Sequence, residues 1–194
     1  MNFMGARVYR LVMIDYTVAM VGHELRERAF ENEAMPHTAS LLRAAISITR
    51  DSAVAEDLVQ ETLLRAWRFF DRFDQGTNCK AWLFRIMLNL STRVREKRTA
   101  ESISSVPLDE THADHASTDG DFLQQLLIRR AFEVLPQDQR TVLHLAIVDG
   151  FTCKEIAELL SVPMGTVMSR LSRGRVSLRD QLAEQELVRG KGMC

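Results

Sequence analysis

Thr166, Ser169, Arg170 and Arg173 bring two hydroxyls and two guanidinium groups together at steps of three, one and three. At 3.6 residues per turn these positions share one side of a helix. The opposite side is supplied by Val167, Leu171, Gly174 and Leu178, which recur at steps of four, three and four as a buried stripe. Hydroxyls and guanidinium groups near a helix N-terminus are the chemistry that reads base edges and phosphates in a major groove.

The elements that must hold this face are legible around it. The stretch reads LPQDQRTVLHLAIVDG, FTCKEIAELLSVP and MGTVMSRLSRGRVSLRDQL, three helical segments punctuated by Pro136, Gly150 and Pro163. Thr152 and Glu155 have the spacing of a capping box, which fixes the start of the middle helix. Ile156, Ala157, Leu159 and Leu160 form its core face, and Pro163 is expected as the first residue of the next helix. A helix from Gln137 to Asp149, ended by Gly150, precedes them. Two helices joined by so short a turn suggest a helix-turn-helix, although an ordinary helical hairpin with a polar face has the same bare pattern. The wording of Leu135 to Leu182 goes further, for it closely resembles the C-terminal DNA-binding domain of the extracytoplasmic-function (ECF) sigma factors of bacterial RNA polymerase.

The chain has 194 residues, 46% of them hydrophobic and only four of them proline, enough for one ordinary domain or two small helical ones. A net charge of -1 argues at first against a nucleic-acid partner, but the charges are segregated. Cys79 to Arg98 carries six Lys and Arg against Glu96 alone, Thr99 to Phe122 carries six Asp and Glu with no cation, and Pro163 to Arg179 carries four Arg with no acid. Cys79, Cys153 and Cys194 are odd in number and far apart, which argues against a disulfide framework or a paired zinc motif and fits a reducing cytoplasm. No apolar run reaches membrane-spanning length, and Asp15 interrupts the candidate signal core Leu11 to Val21, so a protein without membrane insertion is expected.

Residues 1–34 carry no assignable function, and Met1, Met4, Met13 and Met20 leave the start codon open. A first helix is expected within Met35 to Arg50 from Leu41, Leu42, Ala45, Ile46 and Ile48. Asp51 or Ser52 caps a second, whose inner stripe is Ala55, Leu58, Val59, Thr62, Leu63, Ala66 and Phe70. Its other side carries Asp57, Gln60, Glu61 and Arg68. A third helix begins near Cys79, with Leu83, Ile86, Met87, Leu90 and Val94 inside and Arg85, Asn89 and Arg93 outside. Trp67, Trp82 and Phe84 read as core aromatics. From Thr99 to Gly120 the helical period gives way to Ser, Thr, Asp and His, an acidic linker in which His112 and His115 have no rigid frame for a metal.

The family resemblance extends to these segments. AEDLVQETLLRAW resembles the sigma-family surface that docks on the largest polymerase subunit, which implies docking roles for Asp57, Gln60 and Glu61. FDQGTNCKAWLFRIMLNLSTRVREKR resembles the element that engages the -10 promoter sequence, which implies contacts from Asn78, Lys80, Arg85, Asn89 and Arg93. Arg93 departs from the acidic or amide residue common there, and Met168 stands where a Lys is common. In the same comparison Thr166, Ser169, Arg170 and Arg173 face the -35 element.

The expected fold is therefore all-α: two small helical domains, 35–98 and 121–187, joined by a flexible acidic linker over 99–120, the C-terminal domain a helix-turn-helix and 188–194 a tail. No P-loop, HExxH or G-x-S-x-G is present, so an enzyme is not expected and no cofactor or metal is implied. A one-domain repressor leaves the docking-like and basic helices without a role, and a sigma mimic does not need the DNA-facing cations. Core polymerase and promoter DNA are the implied partners, with an anti-sigma factor as a further candidate and the cytoplasm as the location. Two promoter elements about two helical turns apart lie on the order of 70 Å from one another, which a 22-residue linker reaches only when nearly taut. Free protein is thus expected to bind promoters weakly.

Overall fold

The computed structural model describes residues 20–101 and 119–191, and every described regular element is helical. A first helix, α1, occupies 20–33, and a short 3-10 turn at Met35–His37 leads into α2, Thr38–Thr49. Arg50 ends α2 in the left-handed region at φ 60°, and Asp51 starts α3, Ser52–Phe69, by accepting a hydrogen bond from the Val54 N–H at 3.0 Å. That satisfies one of the unpaired donors at the helix start and lets two helices reverse on a two-residue turn.

The third long helix, α4, is Cys79–Glu101. Leu41, Ala44, Ala45 and Ile48 of α2 meet Ala55, Leu58, Val59 and Ala66 of α3 and Leu83, Met87 and Leu90 of α4, all buried. Thr62 is fully buried among them and donates to the Leu58 carbonyl at 2.7 Å, so its hydroxyl is not left unpaired. Phe30 of α1 packs edge-on to Trp67 and Phe70, while Phe73 lies 4.9 Å from Trp82. Arg26 braces this aromatic cluster from outside, over Trp67 at 4.4 Å and paired with Asp71 at 3.0 Å.

The C-terminal half contains α5, Asp119–Val134, and α6, Gln137–Leu143, which runs on as a π turn over His144–Val148. Then come α7, Cys153–Leu160, and α8, Met164–Lys191. The helix expected over Gln137 to Asp149 thus changes pitch for its last turn, and Gly150, at φ 75°, turns the chain. The Thr152–Glu155 capping box is present in both directions. Ser161 at φ 52° ends α7, and Pro163 then accepts from Thr166 N–H at 2.9 Å, so Pro163 caps α8 rather than being its first residue.

Val167 and Leu171 are buried as expected, Leu178 is half-buried, and Gly174 permits the close approach of α8 to α6. A Cβ at Gly174 would lie 2.7 Å from Leu143 Cδ1 and 3.3 Å from Gln139 Cβ. Helix α4 runs three residues into the stretch expected as linker, and α5 takes its last two, Asp119 and Gly120. The rest of that stretch, with His112 and His115, lies outside the described residues, as does Cys194.

Sequence reasoning did not foresee how the two halves meet. They pack directly: α2 lies against α6 and the π turn, and α4 against α7. Phe84 of α4, expected as an ordinary core aromatic, is fully buried edge-on to Phe151 of the other half at 5.1 Å. One apolar core therefore runs through both helical units.

Candidate nucleic-acid interface

The expected site residues lie on or beside α3, α4 and α8. On α3, Asp57 and Gln60 are exposed, while Glu61 is half-buried and pairs with Arg65 one turn later at 2.6 Å. Leu64 lies on the same face with half its surface in water, and Arg68 continues it. An exposed leucine ringed by carboxylates and an amide suits a protein partner better than a polyanion. The sequence hid this because Leu64 looks like part of the inner stripe next to Leu63.

On α4 the five expected residues separate. Arg85 and Asn89 are exposed on the outer face. Asn78 is exposed, but its side-chain oxygen accepts from the Ala81 N–H at 3.0 Å and so starts the helix. The side chain of Arg93 lies outside the described residues. Lys80 points into the seam between the two halves, with Nζ 3.3 Å from Asp149 Oδ1 and donating to the Asp149 carbonyl at 2.7 Å. The same ammonium sits 5.1 Å from the Phe151 ring.

On α8, Ser169 and Arg173 are exposed and Thr166 is half-buried. Ser169 donates to the Thr166 carbonyl at 3.0 Å, and Arg173 Nε donates to the Ser169 carbonyl at 3.3 Å. Arg170 is turned toward its own unit, paired with Asp138 of α6 at 2.6 Å. Met164 and Met168 stand exposed on the same helix, a soft apolar border that the polar pattern concealed. Arg170 and Asn89 line one cavity of about 110 Å³, together with Thr92, Asp138, Thr141 and Leu160. One residue expected for each promoter element, Asn89 and Arg170, thus borders the same narrow space.

The groups that close this seam were not identified as a site from sequence. Arg140 is 3% exposed; its Nε donates to the Ser47 carbonyl of α2 at 2.6 Å and its guanidinium to the Leu135 carbonyl at 3.0 Å. Burial, helped by the neighbouring Arg50, pulls its pKa down to about 10. Arg50 reaches across to the Glu133 carbonyl at 2.5 Å, and Ser40 donates to the Asp149 carboxylate. The Asp149 side chain has no exposed surface, and its Oδ2 lies 3.4 Å from His144 Nε2. Burial holds His144 below the ordinary imidazole range; Asp149 opposes that shift, and Arg43 and Lys80 add to it. Buried Cys79 is also inert, its thiol pushed up to about 11 by burial and then by Glu33.

Among the described residues no cluster of three or more His, Cys, Asp or Glu is placed to hold a metal ion, and no helix is long and apolar enough to cross a membrane.

The chain is similar to known proteins. Residues 35–101 match Sigma-70 region 2, and residues 125–178 match Sigma-70, region 4. The chain is 36% identical over 149 residues to the ECF RNA polymerase sigma factor EcfG of Rhodopseudomonas palustris, covering 72% of this chain and 77% of that one. It is 35% identical over 158 residues to the ECF RNA polymerase sigma factor SigL of Mycobacterium tuberculosis, covering 79% and 88%. The sigma factor RpoE of Bartonella quintana, solved in complex with the anti-sigma factor NepR, superposes with a TM-score of 0.66 at 33% identity, covering 80% of this chain and 98% of that one. With Sigma-70 region 2 and region 4 matched in order along it, the chain belongs to the ECF sigma factors of bacterial RNA polymerase.

Proposed function

We propose that this sigma factor divides its work among the three faces. Asp57, Gln60 and Glu61, with Leu64 at their centre, dock on core polymerase. Arg85 and Asn89 of α4 face the -10 element, and Asn78 contributes chiefly by starting that helix. Ser169, Arg170 and Arg173, flanked by Thr166, enter the major groove of the -35 element. The polymerase supplies the chemistry and this chain supplies address and strand opening, in the cytoplasm where the chromosome is. An anti-sigma factor is a fitting partner as well, since the Bartonella relative was solved with one.

The observation that carries the reading is on α8. Val167, Leu171 and Gly174 lock one side of the helix against its own unit, so the hydroxyl and guanidinium groups are presented on a rigid frame. Rigid presentation is what groove reading needs, because each misplaced bidentate contact forfeits about 1–3 kcal/mol of discrimination. The docking role is tested by replacing Asp57, Gln60 and Glu61 together by Ala and titrating the variant against core polymerase. Weaker binding with unchanged helix content is expected, because these side chains lie opposite the buried stripe of α3. Unaltered affinity would remove the docking assignment.

A further inference from the structure

We propose that α1, which precedes the residues matched to Sigma-70 region 2, sets the position of the bridge between α3 and α4, and that Arg26 and Phe30 are positioning residues for recognition of the -10 element. The promoter half of this statement rests on the assignment of α4 and its start to the -10 element given above.

Helix α1 is polar over most of its surface, with Glu24, Glu27, Arg28, Glu31 and Glu33 in solvent. One narrow stripe turns inward: Arg26, Ala29 and Phe30 at helical steps, then Ala34 just past the end. A helix this short persists in water only through the packing of such a stripe, so what the stripe touches tells what α1 is for. It touches the end of α3 and the turn that follows. Arg26 Nη2 donates to the Trp67 carbonyl at 2.6 Å, its Nε pairs with Asp71 at 3.0 Å, and the guanidinium lies over the Trp67 ring at 4.4 Å. The Trp67 carbonyl also accepts the Phe70 N–H that closes α3, so the cation sits where the helix dipole is negative. Phe30, one turn along, is edge-on to Trp67 at 5.3 Å and to Phe70 at 5.2 Å. Phe70 in turn stacks on Phe73 at 5.9 Å, and Phe73 meets Trp82 of α4.

The bridge therefore has two fixed ends and a free crest. Phe73 is buried at one end and Cys79 at the other, where Asn78 starts α4. Between them Asp74 to Asn78 are all exposed. Thr77 bonds back to the Asp74 carbonyl through its N–H at 3.1 Å and its hydroxyl at 2.7 Å, a turn that Gly76 permits at φ 94°. So tight a loop has no slack, and the placement of Phe73 decides where its crest points. A cavity of about 540 Å³ lies alongside, between Leu25 and Ala29 of α1 and Phe73 and Gln75 of the bridge. Without the α1 brace the crest has room to sink into it, whereas recognition needs its groups held to about 0.5 Å. The planar fork of Arg26 serves a carbonyl, a carboxylate and a ring at once, which a lysine ammonium cannot.

The experiment measures open-complex formation by the holoenzyme on three duplexes: a promoter it uses, the same promoter substituted in the -10 element, and the same promoter substituted in the -35 element. The readout is the ratio of rates between the promoter and each substituted form, which the fraction of folded protein cannot change. Arg26→Ala should lower the -10 ratio by about tenfold, the order expected when partly solvated charge-assisted bonds are lost. The -35 ratio and the affinity for core polymerase should stay as in the parent. Arg26→Lys should recover only part of the -10 ratio. Asp71→Asn, at an exposed position, should lower it less, and the double variant should fall no further than Arg26→Ala, because the two residues share one interaction. If Arg26→Ala keeps the parent's -10 ratio while Arg85→Ala/Asn89→Ala loses it, the positioning role alone is overturned. If neither alters that ratio, the assignment of α4 to the -10 element falls as well. A joint fall in both ratios, or a loss of core affinity, would make α1 a general support of the fold and also overturn the proposal. Should Arg26→Ala fail to assemble a holoenzyme, Asp71→Asn decides by the same ratio.

Discussion

Arg170 can serve a guanine only by leaving Asp138, and the size of that exchange follows from the geometry. The pair is short, at 2.6 Å, but Asp138 keeps about half its side chain in water and Arg170 a quarter. A partly solvated pair of this kind is worth about 0.2–1 kcal/mol. Asp138→Asn should therefore tighten holoenzyme binding to the -35 element by up to about fivefold, since 1.4 kcal/mol is tenfold. Arg170→Ala should weaken it by about 1–3 kcal/mol, roughly five- to 150-fold, and should relax preference at a single base pair. The informative variant is the double one. With Arg170 absent, Asp138→Asn should have no further effect, giving a coupling energy equal to the gain seen in the single variant. The assay is competition binding of holoenzyme to duplexes varied across the -35 element at fixed salt. A gain from Asp138→Asn that persists without Arg170 would refute the exchange and reduce Asp138 to a general repulsive charge. If Arg170→Ala costs the same on every sequence and lowers the salt slope by about one, the guanidinium holds a phosphate and does not read a base.

Thr152→Ala should lower the stability of the C-terminal unit by about 0.5–2 kcal/mol, read by chemical denaturation, because the Thr152 hydroxyl is the acceptor for the Glu155 N–H at the start of α7. An unchanged midpoint would mean that the tertiary contacts of Ile156 and Leu159 alone hold that helix. His144 gives a pH dependence with a defined sign. Its folded value is lowered, so the stability it contributes is complete above the ordinary imidazole value and is lost as pH falls through that value toward the folded one. Asp149, Arg43 and Lys80 are the charges facing it, and burial outweighs the opposing pull of Asp149. Acidification from pH 7.5 to 5.5 should destabilise the folded chain in a denaturation series. His144→Gln should flatten that part of the profile; an identical profile in this variant would exclude the imidazole as the source.

Local features were legible in the sequence to the extent that they obey local rules. Asp51 caps α3, Thr152 and Glu155 form their box, and the four-three-four stripe on α8 is inside where the period puts it. Pro163 shifted by one position, because a capping carbonyl and a first helical residue leave the same mark in sequence. The seam was not legible, for a different reason. Lys80 and Asp149 are 69 residues apart, and Arg140 and Ser47 are 93 apart. Pairs so distant follow no period. Asp149, ahead of Gly150, looks like the polar end of a helix, and nothing in the one-dimensional pattern announces a π turn that points it inward. Lys80 likewise has the place of a DNA contact in the family resemblance, while its ammonium is held at a fully buried carboxylate.

The central claim is that this chain gives core polymerase its promoter address through two faces held on separate helical units. It is tested most directly by transcription in vitro with purified core enzyme on a promoter library, using the parent chain, Arg170→Ala/Arg173→Ala, and Arg85→Ala/Asn89→Ala. The account predicts transcripts from a subset of templates sharing two separated elements. The α8 variant should lose preference at the upstream element alone, and the α4 variant at the downstream element alone. Transcription no different from core enzyme by itself, or a template preference that neither pair of substitutions alters, would contradict it.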